Sequence, residues 1–284
     1  MRRALTLAAA ALVLVSAGAS GQTPYLPWFT HVVVIVMENK EVDQVIGNRH
    51  APRINALARK YTLLSNYDAV SHPSLPNYLA LVSGSTQGVH SDCTSCHFRA
   101  KNLADTLEEA GMTWKTYAEG LPRPGFTGAY AGRYAKKHDP LIYFDDVASS
   151  ARRRAQIVPL RQLRKDLAAG ALPDFSLVVP DLCHDMHDCS VATGDRWLGT
   201  FVRGLLASPE LDGAVVFVVF DEGTTADGGG GHVPAMALGS TVKTRLRANG
   251  ATSHYGLLRT IEDAWGLKLL GRTYLTRPIR GIWK

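Results

Sequence analysis

From His31 to Val36 the chain runs through apolar, mostly β-branched side chains, as expected of a strand buried on both faces inside a parallel sheet. The run stops at Met37-Glu38-Asn39. Further strands are predicted at Trp114 to Ala118, Phe175 to Val179 and Ala214 to Phe220, with a weaker one at Ala235 to Leu238. Between them lie amphipathic stretches at helical pitch: Asn55 to Tyr61, Tyr78 to Val82, Leu103 to Ala110, Leu163 to Ala168, Arg196 to Leu206 and Tyr255 to Trp265. Alternating strand and helix predicts an α/β fold, a doubly wound, mostly parallel sheet with helices on both faces in a single domain. No repeat, low-complexity linker or domain boundary interrupts it, and the Pro/Gly-rich stretch Leu121 to Gly132 reads as a long surface loop or lid.

The N-terminus has a different pattern. Met1-Arg2-Arg3 precedes apolar and Thr residues from Ala4 to Val15, and Ala17-Gly18-Ala19 offers small residues at cleavage spacing. This predicts a secretory signal peptide over residues 1–19, a mature domain over 20–284, and a secreted or periplasmic protein. The apolar run is shorter than the roughly 20 residues of a membrane helix, and no later stretch approaches that length. No cysteine follows it to carry a lipoprotein anchor.

Losing Arg2 and Arg3 takes two from the formal charge of +6 and leaves the mature chain mildly basic, which suits weak attraction to anionic surfaces or substrates. The basic residues are scattered and no recognition module appears, so no nucleic-acid partner is expected. The densest cluster, Arg152-Arg153-Arg154 followed by Arg161, Arg164 and Lys165, reads as a solvated helix face. The four cysteines form two close pairs, Cys93/Cys96 and Cys183/Cys189, which predict two disulfides in an exported chain; the second would pin the loop carrying His184, Asp185, His187 and Asp188. A rival zinc site at Cys93, Cys96 and His97 lacks a fourth ligand.

The stretch His72-Pro73-Ser74-Leu75-Pro76-Asn77-Tyr78 places a serine near a helix N-terminus, where backbone N–H groups and the helix dipole favour an anion. Ser74 is there either as an N-cap or as a nucleophile that becomes phosphorylated, with Asn77 one turn along to hold the phosphoryl oxygens. In doubly wound sheets ligands bind beyond the carboxyl ends of the strands. The first strand ends in Glu38-Asn39, another in Asp221-Glu222 followed by Gly228 to Gly231 and His232, and a third leads into Asp181, His184, Asp185, His187 and Asp188. Carboxylates gather without repelling one another when a cation lies between them. Oxygen ligands from Glu38, Asn39, Asp221 and Glu222 suit a hard divalent ion and imidazoles pull toward zinc, so Ca, Mg, Mn and Zn are not told apart.

The segments Val36-Met37-Glu38-Asn39, His72 to Ala80, Asp185-Met186-His187-Asp188, Phe220-Asp221-Glu222 and Ser253-His254-Tyr255 resemble the phosphoesterases of the alkaline phosphatase superfamily that include bacterial phospholipases C and secreted acid phosphatases. They span about Thr30 to Leu267, in that family's order. Gly194-Asp195-x-Trp197-Leu198 and Ala135-Lys136-Lys137-His138 are similar to the short secreted acid phosphatases acting on phosphatidylinositol 3-phosphate. The resemblance implies an alkaline-phosphatase-like fold with Ser74 as nucleophile and Glu38, Asn39, Asp221 and Glu222 as metal ligands. It implies Asn77, His187 and His72 at the phosphate, Asp185 and Asp188 on the substrate side, and His254 or His187 protonating the leaving alkoxide. Cys183-His184, Cys189 and His232 depart from the acid-phosphatase pattern, which leaves open the general acid and the acceptance of diesters.

The remaining aromatic residues take ordinary roles. His31, His50 and His97 read as surface or capping residues, His138 as a solvated or rim residue, Trp197 and Trp265 as core, and Tyr78 and Tyr255 as interior. The sequence therefore predicts a monomeric, metal-dependent phosphomonoesterase acting on a phosphate ester, with a phosphoinositide at a membrane surface as one substrate. A phospholipase C-type diesterase and a phosphate- or metal-binding protein without turnover are the alternatives.

Overall fold

The computed structural model describes residues 26–284, so the signal-peptide expectation for residues 1–19 lies outside the described residues. The main sheet contains β1 (Val32–Met37), β2 (Thr62–Leu64), β3 (Trp114–Ala118), β4 (Ile157–Pro159), β5 (Phe175–Val179), β6 (Val215–Phe220), β7 (Ala235–Leu238) and β8 (Leu246–Ala248). Their order is β8-β2-β7-β6-β1-β5-β3-β4, and β7 alone runs against the other seven. Every residue of β1 and β6 is buried, because both strands are covered on both faces. Burying each large side chain contributes roughly 1.5–3 kcal/mol, which explains why these strands are apolar at every position.

The longer helices are α1 (Pro52–Lys60), α2 (Ser74–Ser83), α3 (Leu103–Glu109), α4 (Arg161–Ala168), α5 (Val191–Leu206) and α6 (His254–Trp265). The crossovers holding α1, α4 and α5 travel the same way along the sheet, so right-handed connection places all three on one face. The return from β2 to β3 puts α2 and α3 on the other. There α2 packs on α6, while α1 packs on α5. Gly84 caps α2 in the left-handed region at φ 64°, and a Cβ there would lie 2.0 Å from Leu270 O; glycine lets the chain after α6 close onto α2.

The predicted α/β sandwich is the observed one. The strands β2, β4 and β8 escaped prediction because three residues are too few to show a period. Three helices start well ahead of their apolar patterns, α1 at Pro52, α2 at Ser74 and α5 at Val191, while α4 and α6 start within two residues of theirs. Of the expected solvated basic face, Arg152, Arg161, Arg164 and Lys165 are exposed, but it is not one helix and Arg153 is not solvated. Arg152–Arg154 belong to a short helix separated from α4 by β4, and Arg153 is tucked in against Asp105, Glu108 and Asp146. The stretch from Leu121 to Gly132 is anchored by buried Leu121, by Phe126 against Tyr134 at 5.9 Å and by Gly125 N donating to Ile157 O at 2.9 Å. Among the described residues no helix is long and apolar enough to cross a membrane.

Candidate active site

Because β6, β1 and β5 are adjacent and parallel, their carboxyl ends share one edge of the sheet. That edge collects Glu38-Asn39, Asp221-Glu222 and the loop from Asp181 to Cys189. Ser74, the first residue of α2, is buried there, its Oγ 3.1 Å from Glu222 Oε1 and 3.3 Å from Glu38 Oε2. One turn along the same helix, the Tyr78 hydroxyl donates to Glu38 Oε1, so helical spacing aims both hydroxyls at one carboxylate.

The edge gathers four buried carboxyls, those of Glu38, Asp185, Asp221 and Glu222. Burial, followed by repulsion from Asp221 and Asp185, pushes the Glu38 carboxyl well above its ordinary range. Burial and then Glu222 push Asp221 up to about 7, and burial pushes Asp185 to about 8, with Asp221 adding to it against the His187 N–H. Four buried polar atoms, Asn39 Oδ1, His138 Nε2, Asp185 Oδ2 and Asp221 Oδ2, have no hydrogen-bond partner. Ligand atoms of Glu38, His138 and Asp185 all lie within 4.8 Å of one another. Orphaned buried acceptors are costly unless something fills the space between them. A divalent cation fits this donor set, and oxygen donors with one neutral imidazole suit Ca, Mg, Mn or Zn.

His138 is the residue that sequence reasoning missed. It is buried rather than solvated, with Nε2 3.3 Å from Glu38 Oε2, Nδ1 3.5 Å from Asp185 Oδ2 and its ring stacked on Tyr78 at 5.1 Å. Burial, with Lys137 and His187 adding to it, holds its pKa well below the usual imidazole value, so the ring is neutral with a lone pair to give. The signal was present in Ala135-Lys136-Lys137-His138, but a basic tripeptide reads as surface.

Other expectations change with the geometry. Asn77 is not free to hold a phosphoryl group: Oδ1 accepts from Val70 N and Ser71 N, and Nδ2 donates to Ser71 O and Pro73 O. His254 cannot reach a leaving group either. It is fully buried, its Nε2 donates to Asp221 O at 2.6 Å, its Nδ1 accepts from the Tyr67 hydroxyl at 3.0 Å, and burial lowers its pKa to about 4. Glu222, expected as a metal ligand, contacts Ser74 and the His72 ring, while His72 Nε2 donates to Thr225 O at 2.7 Å. Asp185, expected on the substrate side, lies among the candidate cation ligands. His187 remains part-exposed, held by Asp188 Oδ1 at 2.6 Å and with Nε2 3.2 Å from Lys137 Nζ. His232 pairs with Asp68 at 3.2 Å.

The cysteines pair as predicted, Cys93 with Cys96 and Cys183 with Cys189, which removes the zinc alternative. The second bridge closes the loop of Asp185 and His187. Gly194 lets α5 approach that loop, since a Cβ there would lie 2.4 Å from Met186 Cγ. Asp195 caps α1, its Oδ1 accepting from Arg53 N and Ile54 N at 2.9 and 2.8 Å. Trp197, expected in the core, is part-exposed and stacks on His184 at 5.8 Å.

The mostly parallel sheet with helices on both faces is alkaline-phosphatase-like, and solved structures share this fold. A protein of the alkaline phosphatase superfamily from Vibrio parahaemolyticus aligns with a TM-score of 0.60 at 16% identity, covering 90% of this chain and 72% of that one. The phosphonate monoester hydrolase of Silicibacter pomeroyi aligns at 0.57 and 12% identity, covering 88% and 75%. The Phosphoesterase family model matches residues 48–268, and the chain belongs to that family, a hydrolase of phosphoric ester bonds. It is 36% identical to the phosphatidylinositol-3-phosphatase of Mycobacterium tuberculosis over 91% of this chain and 84% of that protein. It is 32% identical to an acid phosphatase of Aspergillus niger over 86% of this chain, but spans 60% of that longer protein.

Proposed function

We propose that the chain is a secreted, metal-dependent phosphomonoesterase that works through a phosphoserine at Ser74, with a phosphorylated inositol lipid as its substrate class. One observation supports this most strongly: Ser74 Oγ, at a helix N-terminus, lies within hydrogen-bond reach of two carboxylates beside four orphaned ligand atoms. A satisfied N-cap serine needs none of that company.

In this reading Ser74 gives its proton to Glu222 as Oγ bonds to phosphorus and the ester oxygen leaves. The departing oxygen takes a proton from the His187–Lys137 pair on the solvent side. Water then attacks phosphorus and gives a proton to the His187–Lys137 pair, the bond between phosphorus and Oγ breaks, and Glu222 returns its proton to Ser74 as phosphate leaves. His72 fixes Glu222, and Asn77 fixes the chain before Ser74. Glu38, Asn39, His138, Asp185 and Asp221 would hold a divalent cation, which when bound supplies charge neutralisation at the phosphoryl oxygens. The inositol-lipid assignment follows the 36% identical relative and the chain's mild positive charge.

The test is hydrolysis of p-nitrophenyl phosphate from acid to mildly alkaline pH, before and after chelation, with Ser74→Ala alongside. Chelator-sensitive turnover that falls at least about 1000-fold in the serine variant is the expected result. Turnover that survives in Ser74→Ala refutes the nucleophile. Faster cleavage of bis-p-nitrophenyl phosphate than of the monoester replaces the monoesterase by a diesterase.

A further inference from the structure

On the sheet face carrying α4 and α5, the two helices leave a groove of about 1240 Å³ between them. It opens at the same carboxyl edge as Ser74. The loop closed by Cys183–Cys189 separates the two: Asp185 belongs to the acidic site, while its neighbour His184 lines the groove. The walls are apolar, with Leu121, Leu160, Leu163, Leu167, Trp197 and Phe201. Trp197 and Phe201, one turn apart on α5, lie nearly parallel at 4.8 Å and 8°, and His184 continues the stack.

The polar groups at this groove are of one sign where they are free. Glu119 is occupied by His184 Nδ1 at 2.9 Å and by Asp181 N at 3.1 Å. Arg161, Arg164 and Arg196 are exposed along the rim, and none has a carboxylate partner among the described residues. An apolar trough bordered by three unpaired guanidiniums complements a molecule with an aliphatic chain and an anionic head.

We propose that this groove binds one acyl chain of an anionic membrane lipid, with the headgroup on Arg161, Arg164 and Arg196. The chain lies along Trp197 and Phe201. The proposal goes beyond the phosphoesterase reading, since it asks nothing of Ser74. It gives the enzyme a lipid contact on the edge where its catalytic residues open.

Gly204 supplies a clean block. It faces the groove from α5, a Cβ there meets nothing within 4 Å, and replacing a helical glycine does not weaken the helix. The probe is monomeric decyl sulfate, which carries chain and charge but no phosphoryl group, titrated into the protein by calorimetry beside ethyl sulfate and decyltrimethylammonium. Decyl sulfate is expected to bind at one site, with affinity rising by up to about fourfold per added methylene along the alkyl series. Gly204→Trp should remove that chain-length dependence and leave hydrolysis of p-nitrophenyl phosphate within about twofold. Arg161→Glu with Arg164→Glu should weaken decyl sulfate by about tenfold or more, and should cut recovery on phosphatidylglycerol vesicles but not on pure phosphatidylcholine.

Equal affinity for the cationic amphiphile, or unchanged binding in Gly204→Trp, overturns the proposal. So does a parent protein that sediments as a dimer which Gly204→Trp dissociates, since the groove would then be a contact between two copies. Absence of phosphatase activity with these binding results intact would refute the phosphoesterase mechanism and leave the groove standing.

Discussion

His138 Nε2 and Glu38 Oε2 lie 3.3 Å apart in complete burial, a neutral imidazole facing a carboxylate whose neighbours are also carboxylates. Glu38 Oε2 accepts only from the Ser74 hydroxyl and His138 Nε2 has no partner, so a cation between them would offset their burial. His138→Ala is therefore expected to weaken divalent-ion affinity about 10- to 100-fold and to lower turnover with it. Elemental analysis after dialysis against graded metal concentrations reads the first effect. Unchanged occupancy across that series would remove His138 from the ligand set.

Asn77 spends all four of its hydrogen bonds on the backbone of Val70, Ser71 and Pro73, which sets the approach to Ser74. Asn77→Asp keeps the acceptors but loses the donors to Ser71 O and Pro73 O. It should cost about 1–3 kcal/mol of stability by urea titration and lower kcat, with metal content unchanged. A raised KM at undiminished stability would instead show the side chain gripping substrate.

Much of this architecture was legible because the strongest signals are the cheapest to read. β1 and β6 are apolar at every position since both faces are covered, and the acidic residues that follow them had to lie together once the sheet was parallel. What sequence could not show was which polar side chains are consumed by the fold. Asn77 and His254 carry reactive groups, yet backbone atoms 6 and 33 residues away satisfy them. His138 was hidden for the opposite reason. Its basic neighbours Lys136 and Lys137 suggest solvent, but Lys136 lies over the Tyr143 ring at 4.4 Å and donates to Thr94 O, while Lys137 pairs with Asp92 at 2.8 Å. Such long-range partners leave no local pattern.

Glu41 organises the glycine-rich segment after β6 without touching Ser74. Its Oε1 accepts from Thr224 N at 2.7 Å and Thr225 N at 2.8 Å, and its carboxylate occupies the space where a Cβ on Gly223 or Gly231 would fall. Thr225 O in turn receives His72 Nε2. Glu41→Ala should free this segment, lower kcat/KM about tenfold and leave bound metal unchanged, while Glu41→Gln, which keeps the acceptor, recovers most of the loss. Equal damage from both variants would mean that charge, rather than the two backbone contacts, is what matters.

Glu262 gives a pH dependence that lies outside the catalytic edge. Its Oε1 accepts from Leu270 N at 2.9 Å, but Oε2 is buried without a partner, and burial pushes the carboxyl from 4.5 up to about 8. A carboxyl raised in the folded state binds more protons there than in the unfolded chain. Its contribution is then complete below about pH 4.5 and is lost as pH rises toward about 8. Glu262→Gln keeps the acceptor for Leu270 and cannot ionise, so it should match the parent in acid and exceed it on the alkaline side by about 4 kcal/mol. Urea unfolding of both proteins across this range isolates the effect, because every other titrating group is common to the pair. Parallel stability curves would show that Glu262 ionises in the folded protein as readily as in the unfolded one, through water reaching Oε2.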